Sequence, residues 1–121
     1  MTTEQEGQVK ARQLPDPAGY KILCAVPEIA DTFDGSQLVR PDTNKQTESF
    51  ATVTLFVVKM GPEAYSDKAR YPNGPWCKVG DFIVTRQYSG TRLRIHGKEF
   101  RIIHDDQVEA VVEDPRGIER I

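Results

Sequence analysis

The sequence predicts an all-β domain, most economically a small, partly open β-barrel, and three observations carry that expectation. Short runs rich in Val, Ile, Thr and Phe recur along the chain, turn signals built on Gly and Pro separate them, and no stretch offers three turns of helical periodicity. Closing such a set of strands limits the exposed edges they would otherwise leave. The 121 residues suit one domain, and 38% hydrophobic with 28% charged residues allows a single core at the polar end of the globular range.

Taken in order, residues 1–18 hold charges of both signs, Pro15 and Pro17, and no apolar periodicity. They are expected to form a flexible arm outside the core, with the domain spanning residues 19–113. The apolar run 20–26 is the first strand, closed by Pro27, which cannot donate to a sheet ladder. Residues 28–49 are dominated by turn formers and solvated residues such as Asp31, Asp34, Gly35, Ser36, Pro41, Asp42 and Asn44. Loops this long without structure of their own are functional or disordered in compact domains, so this segment is the first functional candidate. Residues 50–60 return to Val, Thr and Phe and stop at Gly61-Pro62. A second excursion, residues 61–80, carries Pro62, Pro72 and Pro75 with Tyr65, Tyr71 and Trp76, and reads as an ordered segment with room for a small hairpin. Three short strands follow at 82–85, 92–96 and 99–103. In the second of them Leu93 and Ile95 alternate with Arg92, Arg94 and His96, the pattern of a strand with one wet face. Residues 108–112 form the last apolar run, Asp114-Pro115 closes it, and residues 114–121 are a tail.

Composition narrows the function classes. No apolar run is long enough for a membrane helix, and the polar start lacks the apolar stretch of a signal peptide, which leads to the cytosol as the expected compartment. A net charge of -2 argues against nucleic acid as the main partner. Cys24 and Cys77 have no second Cys or His at metal-ligand spacing, so neither a metal nor a cofactor is expected, and Cys24 reads as a small core residue. His96, His104, Asp105 and Asp106 are ingredients of acid-base catalysis, but no nucleophile elbow, phosphate-binding Gly loop or helical His pair accompanies them. No catalytic residue is assigned. The competing reading is a barrel that binds single-stranded nucleic acid. Arg86, Arg92, Arg94, Lys98 and Arg101 stand against Glu99 alone, a local balance of +4, with Tyr88 and Phe100 between them. The acidic 28–48 stretch, at -3, offsets that face.

Four motifs occur in register along the second half of the chain. They are Val79-Gly80-Asp81 entering a strand, the turn Tyr88-Ser89-Gly90, the hairpin Gly97-Lys98-Glu99-Phe100, and the ending Asp106-Gln107-Val108-Glu109-Ala110-Val111. With the long loop ahead of them, they resemble the GroES co-chaperonin family over residues 19–113. The arm and tail lie outside the resemblance, a combination most similar to phage-encoded members.

The resemblance implies a non-enzymatic lid over an ATP-dependent chaperonin ring that encloses folding client proteins. It also implies a homo-heptamer and a mobile loop at 28–49 whose apolar residues dock into a groove on the ring. Gly35, Gln37, Leu38, Val39, Arg40 and Pro41 occupy the docking position, Leu38 and Val39 as apolar anchors, Gly35 and Pro41 as the turn and the stiffened exit. Ser36 and Arg40 depart from the family pattern. Either a chaperonin with an altered groove or a register that seats Gln37-Leu38-Val39 accommodates them. The first and last strands are expected to be the open edges that meet across the subunit boundary, through Tyr20, Ile22, Leu23, Val108, Ala110, Val111 and Val112. The alternative is that these two strands pair within one subunit. Residues 61–80 match the family's roof hairpin, which assigns Tyr65, Tyr71 and Trp76 either to a modified roof or to a self-packed surface loop.

Overall fold

The structure is a computed structural model that describes residues 13–27, 53–118 and 121. Six strands make up one antiparallel sheet: β1 Lys21–Ala25, β2 Thr54–Met60, β3 Phe82–Val84, β4 Thr91–Ile95, β5 Lys98–His104 and β6 Ala110–Val112. A single 3-10 turn, Asp105–Gln107, joins the last two. Their spatial order is β4-β5-β1-β2-β3-β6. The all-β expectation holds, and each predicted strand is present within a few residues of its predicted limits.

Among the described residues two edges are open, β4 and β6. The expectation that the first strand would be an edge is corrected: β1 lies inside the sheet, paired with β2 on one side and β5 on the other. Its composition gives the reason. Ile22, Leu23 and Cys24 are apolar on both faces and fully buried, as a central strand requires, and no Pro interrupts the donors along either side. Ile22 and Leu23 are therefore core residues with no surface of their own to offer a neighbouring subunit. Val108, 6% exposed, belongs to the core as well, whereas Tyr20, Ala110 and Val111 are exposed and Val112 is half-buried.

The core lies on one face of the sheet. Ile22, Cys24, Leu55, Val57, Ile83 and Ile103 come from the strands, while Tyr65, Tyr71 and Cys77 come from residues 61–80. A bulge at Val58 breaks the β1–β2 register between Leu23 and Cys24. That extra residue lets Val57 and Met60, an odd number of positions apart, both turn toward the core. On the opposite face, the aromatic rings of Phe56 and Phe82 meet at 5.0 Å.

The described end of the arm is tied down, contrary to its expected independence from the core. Pro17 is buried. The Lys59 ammonium donates to the Asp16 carboxylate (2.8 Å), and the Gln13 side chain meets the His96 ring. Residues 61–80 contain no strand. Their turns stack on the start of the domain instead, with the Gly61 N–H donating to the Lys21 carbonyl (2.8 Å) and the Glu63 N–H to the Gly19 carbonyl (2.9 Å). At Gly90 φ is +78°, and a Cβ there would sit 2.3 Å from the Ile102 carbonyl oxygen. Only glycine fits there, which accounts for the Tyr-x-Gly turn.

Candidate functional site

The predicted docking residues Gly35, Gln37, Leu38, Val39, Arg40 and Pro41 lie outside the described residues, as does the whole of 28–49. Both ends of that segment are on the page. Leaving β1, the Val26 N–H donates to the Glu99 carbonyl on β5 (3.0 Å). At the return, Thr85, just past β3, donates its N–H to the Val53 carbonyl (2.9 Å). The two mouths of the loop are thus held by backbone bonds to opposite flanks of the β1–β2 pair, the one through β5 and the other through β3.

The sheet interior near these mouths is polar. Thr54 and Thr85 are 0% and 1% exposed, and Arg101 is 1% exposed. Register sets Arg101 beside Cys24 and opposite Arg92, and Glu99 opposite Arg94. Glu99 accepts from the Arg92 guanidinium (2.8 and 3.1 Å) and from Arg101 (3.4 Å). The bidentate contact with Arg92 holds the Glu99 carboxyl below the usual carboxylate range. Burial pushes the Arg101 guanidinium down from its ordinary value, and Glu99 opposes that shift.

This geometry dismantles the nucleic-acid alternative. Arg92, Arg94, Glu99 and Arg101 share one face, while Lys98 sits opposite Ile95 on the other. Arg101 and Phe100 are buried, and Glu99 occupies two of the guanidinium groups. Tyr88 is exposed with the Arg92 guanidinium over its ring at 5.9 Å. One exposed aromatic, with Phe100 buried and Arg92 and Arg101 sharing the Glu99 carboxylate, is not the aromatic-lined groove that tracks a strand of nucleic acid.

A second constellation was not visible in the sequence. Asp105, 4% exposed, accepts the Tyr65 backbone N–H on Oδ2 (3.0 Å) and the Tyr71 hydroxyl on Oδ1 (3.0 Å), while the Tyr65 hydroxyl donates to the Asp105 carbonyl (2.8 Å). Tyr65 has φ +59°, a strained setting for a bulky residue that its three bonds and ring contacts over-determine. Tyr65 and Tyr71 meet edge to face at 4.8 Å, and Trp76 packs on Tyr71 at 5.0 Å and on Tyr65 at 5.9 Å. Of the three predicted roof aromatics, then, two are core and only Trp76, 47% exposed, reaches solvent. The turn-like pair Asp105-Asp106 was the one available signal, and Asp106 in turn accepts from Arg70 (2.8 Å). Asp105 serves structure rather than acid-base work: both carboxylate oxygens already accept. His104 stacks on Tyr20 at 5.2 Å, and His96 sits in the β4–β5 hairpin turn with φ +50°. Among the described residues, neither histidine ring is hydrogen-bonded to a Ser, Thr or Cys side chain.

Burial and the bond to Asp105 push the Tyr71 hydroxyl from 10.0 up to about 12. A raised folded value means that the neutral phenol is favoured in the folded state. Its stabilising contribution is whole below pH 10 and is lost as pH climbs toward about 12. Alkaline titration of stability should therefore fall across that window, and Tyr71→Phe should flatten the fall, read as urea midpoints between pH 8 and about 12. An unchanged slope would remove Tyr71 from the alkaline transition.

Comparison with known proteins gives a consistent picture. The family model for the Chaperonin 10 Kd subunit matches residues 16–112. The chain is 33% identical over 98 residues to the Co-chaperonin GroES of Caldicellulosiruptor saccharolyticus, covering 81% of this chain and 96% of that protein. It is 30% identical over 98 residues to the Co-chaperonin GroES of Methylacidiphilum infernorum, and 33% identical over 98 residues to that of Corynebacterium jeikeium, in both cases covering 80% of this chain and 92% of the relative.

Proposed function

The chain belongs to the Chaperonin 10 Kd subunit family, and from that membership we propose that it works as a co-chaperonin, capping a GroEL-like chaperonin ring and assisting the ATP-dependent folding of enclosed client proteins. The observation that carries this reading is the match over residues 16–112, which brackets the loop 28–49 between two strands fixed in one sheet. A rigid base at both ends lets the loop project without disturbing the domain. In this reading Leu38 and Val39 enter the ring's groove, Gln37 and Arg40 flank them, and Gly35 and Pro41 shape the turn. The chain itself binds no nucleotide and catalyses nothing; hydrolysis of ATP belongs to the ring.

One loop with two apolar anchors binds feebly, because ordering a free segment offsets much of the gain. A homo-heptamer resolves this by presenting seven loops at once, so that avidity supplies what each lacks. The open β6 edge, with exposed Val111, is the surface we assign to the neighbouring subunit, together with the exposed Tyr20 ahead of β1. No helix among the described residues is long and apolar enough to cross a membrane. We assign the protein to the cytoplasm, and we carry forward as a proposal that the chain is phage-encoded, which would make that the cytoplasm of the bacterial host.

Two measurements test the reading together. Native mass should report seven subunits, and a chaperonin ring should capture the particle stoichiometrically only in the presence of ATP. A monomer that no ring retains would overturn it.

A further inference from the structure

Trp76 is the largest exposed apolar side chain among the described residues, and it packs against two buried rings. Two buried tyrosines grip its indole from different directions, at 5.0 and 5.9 Å, and both are fastened to Asp105. Pro75 precedes it, and Val79, three residues on, is 57% exposed. The indole N–H has no hydrogen-bond partner among the described residues. A rigid aromatic face with a spare donor loses little entropy on binding.

From this we infer that Trp76, with Val79 beside it in sequence, forms a contact surface for extended, non-native polypeptide. The apolar side chain of such a segment packs on the indole face while one of its backbone carbonyls accepts from the indole N–H. The chemistry asks for no particular sequence, only an exposed hydrophobe next to a free carbonyl, which unfolded chains offer everywhere and folded ones rarely do. Size decides against a second copy of this chain as the occupant. With Trp76 47% and Val79 57% exposed, the two residues offer on the order of 200 Å², whereas a stable protein–protein contact of standard size takes about 800 Å² from each partner. A patch this small suits a transient, repeated touch. Choosing client chains as the occupant rests on the co-chaperonin reading above.

The chain holds a single tryptophan, so its emission reports this patch alone. Reduced, carboxymethylated ribonuclease A, an unfolded polypeptide without tryptophan, is the probe. Titrating it into the wild-type particle should shift the Trp76 emission saturably to shorter wavelength. A fluorescein-labelled form of the probe should bind Trp76→Ala at least about 5-fold more weakly, the loss expected of a contact worth more than 1 kcal/mol. Trp76→Phe, which keeps a ring on the tyrosines but lacks the donor, should fall between. Circular dichroism of both variants separates binding loss from misfolding. Equal affinity in all three proteins with no emission shift would overturn the inference, and so would an emission shift that follows particle concentration without the probe, since a second copy would then occupy the patch. Capture by the ring with no effect of the probe at Trp76 would sink the patch alone; probe binding without capture by any ring would sink the co-chaperonin reading and leave the patch assigned.

Discussion

Replacing Leu38 and Val39 together with Ser abolishes capture by the chaperonin ring and leaves the particle's mass unchanged. Burying a Leu or Val side chain is worth about 1.5–3 kcal/mol, so each loop forfeits roughly 3 kcal/mol or more when both are made polar. One loop weakened by that amount binds over about 100-fold less well. Because the loops act together, the deficit compounds around the ring and avidity collapses. The strands on either side of the segment are held by backbone bonds at Val26 and Val53, which Ser at 38 and 39 does not alter. Retained ATP-dependent capture by the double variant, read by sedimentation with the ring, removes these residues from the mechanism. Arg40→Leu tests the departure beside them. If Arg40 stands where the groove is apolar, this change strengthens capture by roughly a factor of ten, the equivalent of about 1–2 kcal/mol per loop.

Asp105→Ala costs about 3 kcal/mol of folding stability. Truncation strands the Tyr65 N–H and the Tyr71 hydroxyl in a site where Asp105 is 4% exposed, and a buried donor left without an acceptor costs about 1–3 kcal/mol. Asp105→Asn keeps one acceptor oxygen and should lose about half as much. Urea midpoints at a fixed subunit concentration measure both, since association would otherwise contribute to the apparent stability. Trp76 emission follows the same unfolding from within the affected cluster. A loss for the Ala variant within about 0.5 kcal/mol of zero would show that water replaces the carboxylate and that the Asp105 side chain is not what holds residues 61–80.

Strand positions were legible because their signals are local. Val, Ile and Phe runs, the Gly90 turn and the His96-Gly97 hairpin each depend on a few adjacent residues, and all fell where expected. Strand neighbours were not legible. Tyr20 to Val26 reads equally well as an edge or a centre until it is known which strand lies on its second side, and β5 supplies that answer from about eighty residues away. The fate of Tyr65 and Tyr71 was hidden for the same reason. Their acceptor, Asp105, is 40 and 34 residues distant, and no periodicity links them. The hold on residues 13–18 escaped notice because Asp16 and Gln13 act through Lys59 and His96, polar partners that a search for apolar patterning passes over. Residues 28–49 were singled out by what they lack, a signal that marks a segment as unusual without fixing where any of its atoms go.

The sheet's two borders differ in chemistry. Along β4, Thr91-Arg92-Leu93-Arg94-Ile95 sets two guanidinium groups close together, so a like border laid alongside would bring cation against cation. Along β6 the stretch Ala110–Val112, exposed at Ala110 and Val111, is short and uncharged, hemmed by Glu109 and Glu113. One margin discourages stray adhesion and the other invites a brief, choosy match. A margin lined with like charge resists copy-on-copy growth from that side, so crowding in the cell does not draw these sheets into endless fibres through β4.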